Sequence, residues 1–148
     1  MSFRIRNLCQ DDFDQWKPLW EGYVTFYQRA VDPSQVTELW GRFFQSKPEL
    51  FCFVAVDKSD QLIGLVHFLY HVNTSTLRPK CYLQDLFVDP KARVGGAGRA
   101  LIEEVYAAAT SADAVEVYWN TQEFNSVARV LYDRVGERTP FIKYRKLL

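Results

Sequence analysis

The stretch Tyr82-Leu83-Gln84-Asp85-Leu86-Phe87-Val88-Asp89-Pro90-Lys91-Ala92-Arg93-Val94-Gly95-Gly96-Ala97-Gly98-Arg99-Ala100-Leu101 decides how the rest of the chain is read. Residues Cys81 to Val88 make a strand that Asp89-Pro90 stops, because proline brings no N–H to a ladder and restricts the residue before it. A glycine-dense turn then opens a helix from Gly98 to about Thr110, with Leu101, Ile102, Val105 and Ala108 as its apolar positions. A strand ending in such a turn aims several backbone N–H groups, and the positive end of the helix dipole, at one point. That point suits a pyrophosphate. Side chains at Gly96 or Gly98 would block close approach of the backbone, and Arg93 and Arg99 bring positive charge beside it. Two familiar phosphate loops do not fit. A P-loop needs Lys and Ser or Thr after its last glycine, where Arg99-Ala100 stands, and the dinucleotide fingerprint needs a third glycine where Leu101 stands.

Working outward, Phe3 to Leu8 reads as a strand, and Asp11 or Asp12 caps a helix with an aromatic stripe at Phe13, Trp16, Trp20, Tyr23 and Tyr27. A second helix runs from about Pro33 to Phe44, capped near Asp32 and ended by Lys47-Pro48. Leu50 to Val56, a turn at Lys58-Ser59-Asp60, and Leu62 to Val72 form a hairpin. After the glycine turn and its helix, Val115 to Trp119 is a short strand. Asn125 caps a helix carrying Ala128, Leu131, Tyr132 and Val135, Gly136 ends it, and Phe141 to Leu148 is read as a closing strand. The pattern is mixed α/β in a single domain spanning 1–148, without repeats or linkers.

The 148 residues suffice for a core that hides roughly 68 to 70% of the unfolded chain's surface. Hydrophobic residues at 48% and charged residues at 24% exclude a disordered tail. Eighteen basic residues balance eighteen acidic ones, which argues against a protein held by nucleic-acid phosphates. The basic end around Arg129, Arg134, Arg138, Lys143, Arg145 and Lys146 lacks a stacking motif, so no nucleic-acid partner is expected. Cys9, Cys52 and Cys81 form no metal-ligand spacing, and a reducing, cytoplasmic compartment is the expectation. No signal peptide or membrane span is read. His67 and His71 share a strand face and read as packed or surface histidines, so no metal is predicted.

The stretch resembles motif A of the GNAT superfamily of N-acetyltransferases, with Arg93, Gly96 and Gly98 in the places that grip the acetyl-CoA pyrophosphate. A second element, Asn125-Ser126-Val127-Ala128-Arg129-Val130-Leu131-Tyr132-Asp133-Arg134-Val135-Gly136, is similar to the last helix of that family. The C-terminal half looks like the fungal histone and D-amino-acid acetyltransferase group and its bacterial relatives. The resemblance implies a mixed, mostly antiparallel central sheet flanked by about four helices and splayed at the junction of the fourth and fifth strands. It implies acetyl-CoA as co-substrate, held by Leu86, Phe87, Val88, Arg93, Val94, Gly95, Gly96, Ala97, Gly98, Arg99, Asn125, Ala128 and Tyr132.

The implied activity is direct acetyl transfer to a primary amine, whether an amino acid, a polyamine, another small amine or a protein lysine. The alternative is a non-catalytic acyl-CoA-binding module. Free lysine-type amines titrate near roughly 10.4, so at neutral pH a base must act before attack. By resemblance Tyr132 is the acid that protonates the departing sulfur. Seven positions separate it from Asn125, which puts both near one helix face. For the base, glutamine at Gln84 cannot accept a proton, Asp85 is the nearest carboxylate, and ordered waters leading to Asp85, Glu21 or Glu123 are open alternatives. Glu21, Tyr27, Gln84 and Trp119 are the candidate substrate contacts. Relatives pair through their C-terminal strands, which implies a homodimer.

Overall fold

The computed structural model describes residues 2–92 and 95–148. Five strands, β1 (Phe3–Asn7), β2 (Phe51–Asp57), β3 (Leu62–His71), β4 (Lys80–Val88) and β5 (Val117–Tyr118), lie in chain order across one sheet. The first four pair antiparallel and β5 joins β4 in parallel. Four helices flank the sheet: α1 (Phe13–Phe26), α2 (Pro33–Arg42), α3 (Ala97–Ser111) and α4 (Ser126–Val135).

Alternation along the strands sorts two cores. Phe3, Ala55, Val66, Phe68, Cys81 and Leu83 face Ala97, Leu101, Ile102 and Val105 of α3. Cys52, Val54, Val56 and Leu65 face the opposite way, against Trp16 and Leu19 of α1, Val36 of α2 and Phe43 just beyond it. Trp16 is fully buried at the centre of the aromatic stripe, stacked on Trp20 at 6.2 Å and tilted against Trp40 at 5.1 Å. Asp32 caps α2 as the sequence predicts, its carboxylate accepting from the Ser34 N–H at 3.0 Å.

Three local expectations are corrected. Neither Asp11 nor Asp12 caps α1 through its side chain; a 3₁₀ turn at Gln10–Asp12 leads in, and the Asp12 carboxylate accepts from Arg6 at 2.7 and 2.9 Å and from the Cys9 N–H. That bidentate pair ties β1 to the start of α1, a stronger use of the charge than a cap. Asn125 stands at the N-cap position of α4 but its amide turns to Thr121 Oγ1 at 3.4 Å and makes no cap bond. Phe141–Leu148 is no strand. It runs exposed, with Phe141, Ile142, Tyr144 and Leu147 each at least 76% open, and it pairs with none of the five strands.

Candidate active site

A bulge in β4 sets the chemistry. Leu83 pairs with Phe68, Asp85 pairs with His67, and Gln84 between them has no partner across the ladder. One extra residue reverses the alternation, so Leu83 faces the α3 core while Asp85 turns to the α1 side. Gln84 is left exposed. Without the bulge, the Asp85 carboxylate would point into the apolar packing beneath α3.

On the α1 side Asp85 is only 7% exposed and its Oδ2 lies 3.1 Å from His67 Nδ1. His67, 2% exposed, accepts at Nε2 from the Trp16 indole N–H at 3.2 Å. Trp20 and Phe43 close over the imidazole, with ring centroids 5.2 and 4.9 Å away. Among the described residues no Lys or Arg pairs with Asp85. The Tyr23 hydroxyl is pushed well above its ordinary range by burial and then by the neighbouring Asp85, and Tyr27 is raised by the same two causes in the same order. Tyr23 and Tyr27 are 4.9 Å apart, and Phe87 meets Tyr23 edge-on at 6.3 Å. The result is a buried carboxylate at the floor of an aromatic cluster.

The second part is a gap in the sheet. β5 pairs with β4 only at Cys81 and Tyr82, and past that point the strands separate, leaving the backbone of Leu83 to Val88 without a paired strand on that side among the described residues. Leu86, Phe87 and Val88 are half-buried along this open edge. It leads to the glycine turn. Gly96 sits at φ +89°, a left-handed conformation that side chains resist, and a Cβ at Gly95 or Gly96 would enter open space. The first N–H groups of α3, from Ala97, Gly98 and Arg99, have no partner within the helix and point toward that space. Arg99 ion-pairs with Glu103 at 2.8 Å on the exposed surface, so its charge is shared. Arg93 and Val94 lie outside the described residues.

Across the gap stands α4, whose Leu131 packs 3.5 Å from the position of a Cβ on Gly98. Tyr132 is half-buried on its inner face. Burial raises its hydroxyl pKa, with Tyr27 adding to the effect. The charge of Asp85 thus adds to the rise at Tyr27, as Tyr27 adds to the rise at Tyr132. Asn125 and Ala128 are half-buried near the start of the same helix. Trp119 packs edge-on against Tyr132 at 5.5 Å and leaves no room for a side chain at Gly136, where a Cβ would come within 2.9 Å of the indole.

The structure therefore sets Tyr23, with Tyr27 against its ring, beside the buried Asp85, and Trp119 behind the Tyr132 ring. Glu21 lies 3.8 Å from Lys17 on a half-open face of α1, and Glu123 lies 3.7 Å from Arg138. Sequence reasoning missed the link from Trp16 through His67 to Asp85, because the bulge that creates it leaves no mark in composition or periodicity. A cleft of about 480 Å³ between α1 and α2, lined by Trp20, Arg29, Val31 and Leu39, contains none of Asp85, Tyr27 and Tyr132. Among the described residues no three His, Cys, Asp or Glu side chains gather into a metal-binding set, and no helix is long and apolar enough to cross a membrane.

The family described as "Acetyltransferase (GNAT) family" matches residues 10–136. The chain is similar to the D-amino-acid N-acetyltransferase HPA3 of Saccharomyces cerevisiae, 33% identical over 143 residues that cover 96% of this chain and 89% of that one. Its fold superposes on the crystal structure of a probable acetyltransferase with a TM-score of 0.87 at 24% identity, covering 98% and 97% of the two chains. It also matches AAC(6')-Iy in complex with a CoA-containing bisubstrate analogue, with a TM-score of 0.81, 21% identity and complete coverage of both chains. With the family matched across most of the chain and a relative a third identical over nearly its whole length, this protein belongs to the GNAT family and is an N-acetyltransferase.

Proposed function

We propose that the protein moves the acetyl group of acetyl-CoA directly to a small primary amine, with an amino acid as the leading acceptor class. The observation that carries this reading is the open edge of β4, which runs from the buried Asp85 carboxylate, past Tyr132, to the first N–H groups of α3. The pyrophosphate of CoA meets Gly95, Gly96, Ala97, Gly98 and the flanking Arg93, Val94 and Arg99. The pantetheine arm lies along Leu86 to Val88, bordered by Asn125 and Ala128. The name of the yeast relative supports an amino-acid acceptor.

The chemistry follows from the charges. Among the described residues no Lys or Arg pairs with this buried carboxylate, and an acceptor ammonium supplies a cationic partner. Asp85 takes a proton from that ammonium, and the freed amine attacks the thioester carbon. The C–N bond forms, the C–S bond breaks, and backbone N–H groups of the β4 edge carry the charge on the carbonyl oxygen. Tyr132 delivers its proton to the sulfur and regains one from the acylated nitrogen. A raised hydroxyl pKa suits it, because the proton is still present at neutral pH when the thiolate leaves. Glu21, Gln84 and Tyr27 line the approach of the acceptor, while Trp119 holds the Tyr132 ring.

The test is CoA thiol release across a panel of amino acids of both hands, polyamines, aminoglycosides and a histone-tail peptide, repeated with Tyr132→Phe. Turnover with one amine class is expected, with kcat of the variant lowered by about 10²- to 10⁴-fold and acetyl-CoA binding retained. Acetyl-CoA binding without release on any amine favours the acyl-CoA-binding module, and a Phe variant with unchanged turnover removes Tyr132 from the mechanism. A homodimer is part of the same proposal. The exposed arm Phe141–Leu148 and an open groove of about 750 Å³ beside β5, lined in part by Tyr106, Val117 and Trp119, support it.

A further inference from the structure

We infer that Trp16 and His67 are positioning residues that keep Asp85 an anion aimed at the acceptor amine, an inference that rests on the role proposed for Asp85. An indole N–H can only donate, so the His67 Nε2 that lies 3.2 Å from it must be a bare acceptor. The ring's one proton is then on Nδ1, and it is donated to Asp85 Oδ2 at 3.1 Å. The hydrogen-bond network thus assigns a neutral imidazole in a single tautomer. Burial of both rings, with Trp16 fully covered and His67 2% exposed, denies either nitrogen a water as substitute partner.

Two consequences follow for Asp85. One carboxylate oxygen is occupied by a donor that orients it, while the carboxylate's negative charge is left uncancelled for the incoming ammonium. A doubly protonated His67 would cancel it, and the Trp16 N–H opposes that state by setting two donors against each other. The titratable groups facing the pair are Tyr23 and Tyr27 from α1, Cys52 from β2 and Arg29 over the Tyr23 ring at 5.6 Å. Burial pushes both hydroxyls and the Cys52 thiol up, and arginine stays charged, so none of these changes charge across the neutral range.

The experiment reads both the tautomer and its effect on turnover. With His71→Gln leaving His67 as the one remaining histidine of two, long-range proton–nitrogen spectra at neutral pH should show the proton on Nδ1 and a bare Nε2. A proton on Nε2 overturns the inference, and this readout does not depend on a core variant folding. In Trp16→Phe the acid limb of kcat/KM against pH should move upward by roughly one pH unit, the size of one neutral hydrogen bond. His67→Asn, which keeps a donor near Asp85 and cannot ionise, should hold kcat/KM within about tenfold, and His67→Leu should lose about a hundredfold. An unmoved limb, or Leu and Asn variants alike, overturns it. Asp85→Asn separates the two readings. Full turnover in that variant sinks the role of Asp85 itself, whereas lost turnover alongside unaffected Trp16 and His67 variants sinks only the positioning role.

Discussion

Single residues show how one charge can carry both structure and pH response. Arg6 reaches Asp12 with two nitrogens, and this hydrogen-bonded pairing, opposed by desolvation and aided by the Cys9 N–H, holds the Asp12 carboxyl below its ordinary range. A depressed folded-state pKa means that the carboxylate stabilises the fold above its unfolded value, near roughly 3.9, and stops doing so as pH falls through the folded value. Asp12→Asn should therefore cost about 1–3 kcal/mol at neutral pH. The difference from the parent protein should shrink below about pH 4. Urea unfolding at the two pH values checks both statements, and an equal loss at both would disprove the ion-pair account. Tyr132 is the other residue whose environment shifts its proton affinity, since burial, with Tyr27 adding to it, raises its hydroxyl pKa.

At the scale of elements, the turn before α3 joins a backbone requirement to the surface proposed to meet the CoA pyrophosphate. Gly96 lies at φ +89° immediately before the helix, and no neighbouring atom lies within 4 Å of the place a Cβ would take. Gly96→Ala consequently meets no clash among the described residues, only the cost of a left-handed conformation, about 1–2 kcal/mol. Its added methyl would occupy the space before the helix N–H groups. The expected outcome is a modest fall in Tm with a rise in KM for acetyl-CoA that exceeds any change in kcat. A KM at the parent value would show that the pyrophosphate lies elsewhere. The bulge at Gln84 is the companion device, since the one-residue shift it puts into the β3–β4 register turns the Asp85 carboxylate from the α3 face of the sheet to the α1 face.

The whole molecule leaves its apolar C-terminal arm uncovered. Exposed Phe141, Ile142, Tyr144 and Leu147 beside a sheet that ends at a two-residue strand form a surface suited to a second copy of the chain. Removing residues 139–148 should convert a dimer to a monomer in sedimentation velocity, while the circular dichroism of the sheet and helices stays near that of the parent protein. A parent chain that sediments as a monomer would remove the dimer from the proposal.

The chain by itself determined the order and kind of nearly every element, since apolar alternation, the proline stops and the Asp32 cap act within a few residues of where they are read. It also determined the glycine turn and the helix of Asn125 to Gly136, whose spacing carries the family resemblance. Only the tertiary structure decided which carboxylate is buried beside His67 and the α1 aromatics. Asp85 and His67 are eighteen positions apart, and Trp16 and His67 fifty-one, so their meeting depends on strand register and on one unpaired residue in β4. A one-residue change of register sends a side chain to the opposite face, and hydrophobic pattern alone does not reveal it. The fate of Phe141–Leu148 was likewise decided outside its own sequence, because a strand is made by pairing and this segment pairs with none of the five strands.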